Sequence, residues 1–149
     1  MVHGNIFKLM KFNEARKLAI HLKKFEAEIN QLITTMGNEA VNHFVKSFRN
    51  QGFEDETVNR WRSRKRIARK ERGKADRAIL IQSGRLWRSI RIVRRSKYSI
   101  TVGTDVIYAA RHNYGLSGMP KRQFIGNSAK LQRKLTQRLK KQIGNIFKN

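Results

Sequence analysis

The stretch from Ser89 to Thr104, SIRIVRRSKYSITVGT, decides the fold. Its apolar residues recur at period two on both sides of Ser96-Lys97. Ile90 and Ile92 share a face opposite Arg91 and Val93, and Tyr98, Ile100 and Val102 share a face opposite Ser99 and Thr101. Successive strand side chains point to opposite faces, so this pattern predicts a β-hairpin with one buried face. An isolated hairpin is marginal in water, and another element has to cover that face.

Amphipathic segments on either side supply the cover. Downstream, Ser128 to Phe147 places Leu131, Leu135, Leu139, Ile143 and Ile146 on one stripe, with Asn127 at the N-cap position and no acid after Asp105. This predicts a basic amphipathic helix. Upstream, apolar residues recur at helical spacing from Ile6 to Ile33, with Leu18, Leu22, Phe25, Ile29, Leu32 and Ile33 on one stripe. The stretch TTMGNEA interrupts this pattern, because Gly37 costs about 1 kcal/mol inside a helix and Asn38 is a good N-cap. The reading is two helices, about 12–34 and 38–50, with one long kinked helix as the alternative.

Nearer the hairpin, AILIQSGRLW from Ala78 reads as a short apolar run with a turn at Ser83-Gly84. VIYAARHNYG, Val106 to Gly115, reads as about two turns of helix that stop at Gly115. Met119-Pro120 has to be extended or turned, since a residue before proline avoids the α region. The predicted fold class is α+β: a small antiparallel sheet with a central β-hairpin packed against long N-terminal and C-terminal amphipathic helices.

A chain of 149 residues predicts a single domain, 1–149. Within it, 54–77 reads as a basic, exposed or partly mobile loop or extension. Asn50 and Gly52 end the preceding helix, and the acidic triplet Glu54, Asp55, Glu56 has no apolar period around it and reads as a solvated loop. From Arg60 to Lys97 the many Lys and Arg are opposed only by Glu71 and Asp76. Such a run forms no core face. It is either a segment kept soluble by its charge or a surface for phosphate or a partner's acidic patch. Arg60, Arg62, Arg64, Lys65, Arg66, Arg69 and Lys70 are the candidate contacts to DNA or to an acidic partner. Trp61, isolated among them, is the candidate for stacking on bases. Trp87, Tyr98 and Phe124 have apolar neighbours and read as core or interface anchors.

The formal net charge of +24 calls for an anionic partner or an assembly. With no cysteine, disulfides, thiolate metal sites and cysteine nucleophiles are excluded. The ten acids are scattered rather than clustered for metal-assisted phosphoryl transfer. His3, His21, His43 and His112 lack ligand spacing, and no glycine-rich phosphate loop occurs. No enzymatic activity, cofactor or metal is expected. The N-terminal stretch is too broken by Lys11, Asn13 and Glu14 for a signal peptide, and no 18-residue apolar run exists, so a soluble protein made in a cytoplasm, without a membrane partner, is expected.

The order of four short motifs is more specific than any one of them. These are S-G-x-L-x-x-S-I (Ser83, Gly84, Leu86, Ser89, Ile90), V-G-T-x-x-x-Y-A (Val102, Gly103, Thr104, Tyr108, Ala109), H-N-x-G (His112, Asn113, Gly115) and P-x-R-x-F-x-G (Pro120, Arg122, Phe124, Gly126). In this order the chain, from about Phe44 to Phe147, resembles the phage virion-morphogenesis family, also described as tail-completion or neck proteins. The resemblance implies a small α+β protein without enzymatic activity, made in the host bacterial cytoplasm and located in the virion. Its copies would form a homo-oligomeric ring in the neck, between the portal or connector and the tail proteins, with packaged DNA passing through the channel.

On these motifs the candidate assembly residues are Gly84, Leu86, Tyr108, His112, Gly115, Pro120, Arg122, Phe124 and Gly126. The His112 imidazole is expected to hydrogen-bond near the end of its short helix. Arg122 is the candidate for a specific ion pair or phosphate contact, and Phe124 is an anchor. One departure stands out: family members often carry a longer insertion between HNYG and PKR, where only LSGM is found here. Composition and the run RSRKRIARK alone support a different reading, a small basic nucleic-acid-binding accessory protein.

Overall fold

The structure, a computed structural model, describes residues 3–64 and 78–146, with side chains from residue 12 onward. Helix α1, His3–Asn50, is continuous over 48 residues and passes Gly37 without a break. This corrects the expectation of two helices. A Cβ built on Gly37 would lie 2.7 Å from Ile100 Cδ1 and 2.9 Å from Ile92 Cδ1, so the missing side chain makes room where the predicted hairpin crosses the helix. Packing of the two isoleucines there offsets the ~1 kcal/mol that glycine costs a helix.

The hairpin consists of β3, Arg91–Arg95, and β4, Ile100–Gly103, paired antiparallel with Ile92 opposite Val102 and Arg95 opposite Ile100. A bulge between Ile92 and Arg94 shifts the register. Ile92, Ile100 and Val102 are half-buried, whereas Tyr98, which lines a cavity beside α1 together with Ile100 and Val102, is 75% exposed. The reason is local. The Ser96 N–H donates to the Ser99 carbonyl at 2.9 Å, closing a tight turn that puts Tyr98 at the tip, before β4 begins.

A second hairpin was not foreseen. Strands β1, Gly52–Glu54, and β2, Val58–Arg60, pair antiparallel with Phe53 opposite Asn59. Three residues are too few to display a period, so the sequence there reads only as charge. Glu54 does not lie in a solvated loop: it is 6% exposed, and its carboxylate accepts from Lys130 Nζ at 2.6 Å and Lys46 Nζ at 3.4 Å. The Lys130 hydrogen bond is the main reason that its carboxyl is held below the ordinary range. His43 Nε2 and Ser128 Oγ both donate to the Glu54 carbonyl, at 2.9 and 2.8 Å.

The remaining helices are α2, Arg85–Arg88, α3, Ala109–Tyr114, and α4, Ala129–Ile146. Helix α4 begins one residue later than expected, and its cap is Ser128 rather than Asn127. Ser128 Oγ accepts the Leu131 N–H at 3.2 Å, and Asp55 Oδ1 accepts the Ala129 N–H at 2.7 Å. The acidic turn between β1 and β2 thus meets two of the N–H groups that a helix start leaves open, and places negative charge at the positive end of the helix dipole. From there α4 runs antiparallel along α1. Arg138 pairs with Glu39, and Ile146 ends beside His21 and Phe25.

The core lies where α1, β1, α2 and the segment before α4 meet. Phe48 and Phe124 are each 1% exposed and Leu86 is 2% exposed, with Phe53, Trp61 and Ile90 packed around them. The Phe48 ring meets Trp61 edge-on at 5.5 Å and Phe124 at 5.1 Å, both within the range of favourable aromatic pairs.

A candidate anion-binding cavity

The short motifs singled out in the sequence are joined by hydrogen bonds. Gly84, at φ 69°, turns the chain into α2, and Leu86 enters the core. Ser89 Oγ lies 2.5 Å from Thr104 Oγ1, which accepts the Val106 N–H at 3.1 Å, so the first two motifs meet at the root of the β3–β4 hairpin. Helix α3 ends at Gly115, at φ 73°, where a Cβ would lie 3.0 Å from both Lys121 Cβ and Lys121 N. Only glycine admits the returning chain so closely in that conformation.

The last two motifs are clamped together across this approach. The Arg122 N–H donates to the His112 carbonyl at 2.7 Å, and Asn113 Oδ1 accepts from the N–H groups of Phe124 and Ile125 at 2.9 and 3.0 Å. Asn113 is 5% exposed and was not among the candidate residues. Its place in H-N-x-G was the available signal. An asparagine side-chain oxygen with two acceptor positions is suited to hold two successive backbone N–H groups.

Trp61 is 7% exposed, and its Nε1–H donates to the Gln123 carbonyl at 2.7 Å. It belongs to the core and is not available to stack on bases, which corrects that reading. Its burial brings the start of the basic segment against the P-x-R-x-F-x-G loop. Arg62, Ser63, Arg64, Gly118, Met119, Pro120 and Arg122 there surround a cavity of about 690 Å³.

Arg122 is 8% exposed, donates from Nη2 to the Arg62 carbonyl at 3.4 Å, and has a buried Nε with no partner. Burial, followed by the charge of Arg64, pushes its pKa down from the ordinary arginine value. His112 behaves in the same way. Its Nδ1 is buried without a hydrogen-bond partner, its ring meets Tyr108 edge-on at 6.0 Å, and burial followed by the charge of Arg122 lowers its pKa. The hydrogen bond expected of the imidazole is therefore not made at Nδ1. A guanidinium withdrawn from water beside other cations is costly, and an oxyanion entering the cavity relieves that cost through charge-assisted hydrogen bonds.

The other candidates divide by position. Tyr108 is partly exposed at the start of α3, Pro120 is exposed on the cavity wall, Phe124 is buried, and Gly126 is half-buried ahead of α4. Arg60 and Arg62 are exposed and Arg64 is half-buried, while Lys65, Arg66, Arg69 and Lys70 lie outside the described residues. Among the described residues no helix is long and apolar enough to cross a membrane.

Fold and cavity together define a small, strongly basic α+β protein with an arginine-lined cavity. The chain belongs to the phage virion morphogenesis family, whose model matches residues 10–144. The match carries the likeness read from Phe44 onward back along α1 and gives the protein a role in the morphogenesis of a bacteriophage virion. Comparison with curated proteins and with solved structures found no match.

Proposed function

We propose that the protein is a structural, non-enzymatic component of a tailed-phage virion, a tail-completion or neck protein whose copies form a ring that joins head to tail around the DNA channel. The observation that carries this reading, in a chain of this family, is the N-terminal part of α1. Among the described residues α4 reaches back to His21 and Phe25, so residues 3–20 of α1 extend beyond its described end by about 27 Å at 1.5 Å per residue. Phe12, Leu18 and Ile20 on this arm are 72%, 62% and 58% exposed. Apolar side chains held in water along a projecting helix favour burial against another subunit. A contact in which the arm meets a different surface on the next copy is heterologous, the type that closes into rings. Copies of charge +24 around a channel would give it a positive field suited to DNA.

Native mass spectrometry and electron microscopy of the purified protein test the ring, and fractionation of intact particles tests its place in the virion. A closed oligomer present in particles is expected. A monomer absent from particles overturns the proposal.

A further inference from the structure

We propose that the cavity formed by Arg62, Arg64 and Arg122 is a carboxylate pocket that takes a glutamate or aspartate side chain from an acidic neighbouring protein. The inference rests on the virion reading for where the neighbour is, and on the cavity alone for its chemistry. Arg122 sits recessed in the cavity, 8% exposed, with Nε unpartnered and no carboxylate bound to it. Among the described acids, Glu26, Glu39, Glu54, Glu56 and Asp105 already hold basic partners, and Asp55 caps α4. None of these acids is therefore left over for Arg122, and an acidic group of a neighbouring molecule can supply its anion. A second copy is a poor donor. Among the described acids of such a copy, the unpaired Glu14 and Glu28 lie on α1 among Lys11, Arg16, Lys17, Lys23 and Lys24, so that helix approaches the arginines with net positive charge.

Shape favours a carboxylate over a DNA phosphate. A duplex phosphate sits on a broad convex surface between two sugars, whereas a carboxylate on a slender methylene stem follows a recess inward more readily. The walls match such a stem: Met119 and Pro120 present apolar surface, and the space around Gly118 is open, with no atom within 4 Å of a built Cβ. The planar guanidinium then offers the paired N–H geometry that a carboxylate accepts. Leu116 and Met119, exposed in the same loop, supply the apolar flank typical of a protein interface.

The test is fluorescence anisotropy of the full-length protein with two labelled probes, a hexaglutamate peptide and a short DNA duplex, at physiological salt. Arg122→Lys keeps the charge and removes the planar fork. Arg62→Ala alters an exposed cavity residue whose side chain is free of the core, so it remains informative even if the Arg122 variant fails to fold. Lys121→Ala, exposed next to the cavity, is the charge-matched control. Arg122→Lys and Arg62→Ala should each weaken hexaglutamate binding about tenfold or more, as loss of a charged hydrogen bond does, with Lys121→Ala changing it by less than about twofold. Duplex binding should follow charge alone, unchanged in Arg122→Lys and equally reduced by the two alanine variants. Equal loss of peptide binding in Arg62→Ala and Lys121→Ala overturns the proposal. Loss of duplex binding with peptide binding intact in Arg122→Lys also overturns it, and assigns the pocket to DNA phosphate. Intact pocket selectivity in a protein absent from particles counts against the virion reading only.

Discussion

At Gly37 the same missing side chain weakens α1 and admits the β3–β4 hairpin. Gly37→Leu is expected to lower stability by about 1–3 kcal/mol, because the added carbons enter space held by Ile92 and Ile100. Gly37→Ala should stay within about 1 kcal/mol of the parent, since the helix propensity gained opposes contact with two movable isoleucine tips. Urea denaturation of both variants measures the difference, and a Leu variant as stable as the parent would show that the hairpin does not depend on this approach. Sequence reading made this glycine a helix break because local propensity is all that a single sequence displays. Trp61 was misread for the same reason. Flanked by Arg60 and Arg62, it looks solvated, and only the Gln123 carbonyl and the Phe48 ring show that it is core.

At the scale of elements, the junction of α1, β1 and α4 depends on Glu54. Four basic or hydroxyl groups from α1, α4 and its cap converge on its carboxylate and carbonyl: Lys46, Lys130, His43 and Ser128. Glu54→Gln should cost about 1–2 kcal/mol at neutral pH, the lower part of the range for charged hydrogen bonds because the lysine ammonium groups are half-exposed. The sign with pH follows from its lowered pKa. The folded state holds the ionised form, so the stabilisation is fully present above the ordinary value of 4.5 and is lost as pH falls through the lower folded-state value. Denaturation curves of parent and variant should therefore differ at neutral pH and converge in acid. A gap that stays constant down to about pH 2 would place the effect outside the ionised pair.

For the whole molecule, the question is what the projecting part of α1 packs against. Leu18→Asp with Ile20→Asp changes two residues of the arm that are 62% and 58% exposed. The double variant should keep the melting behaviour of the monomer within about 0.5 kcal/mol, as surface substitutions do, while losing the oligomer seen by native mass spectrometry. An unchanged oligomer would remove the arm from the interface. By itself the sequence determined the α+β class, the β3–β4 hairpin, the short helix ending at Gly115, the amphipathic α4 and the family, because each is carried by a local period or by short motifs in fixed order. Tertiary structure alone decided that α1 is one helix, that Glu54 and Trp61 are buried, that Asn113 clamps two motifs, and that Arg122 faces a cavity with no acid among its described lining residues. Those properties depend on residues brought together from separate segments of the chain, and the burial and hydrogen bonding that create them leave no local period to read.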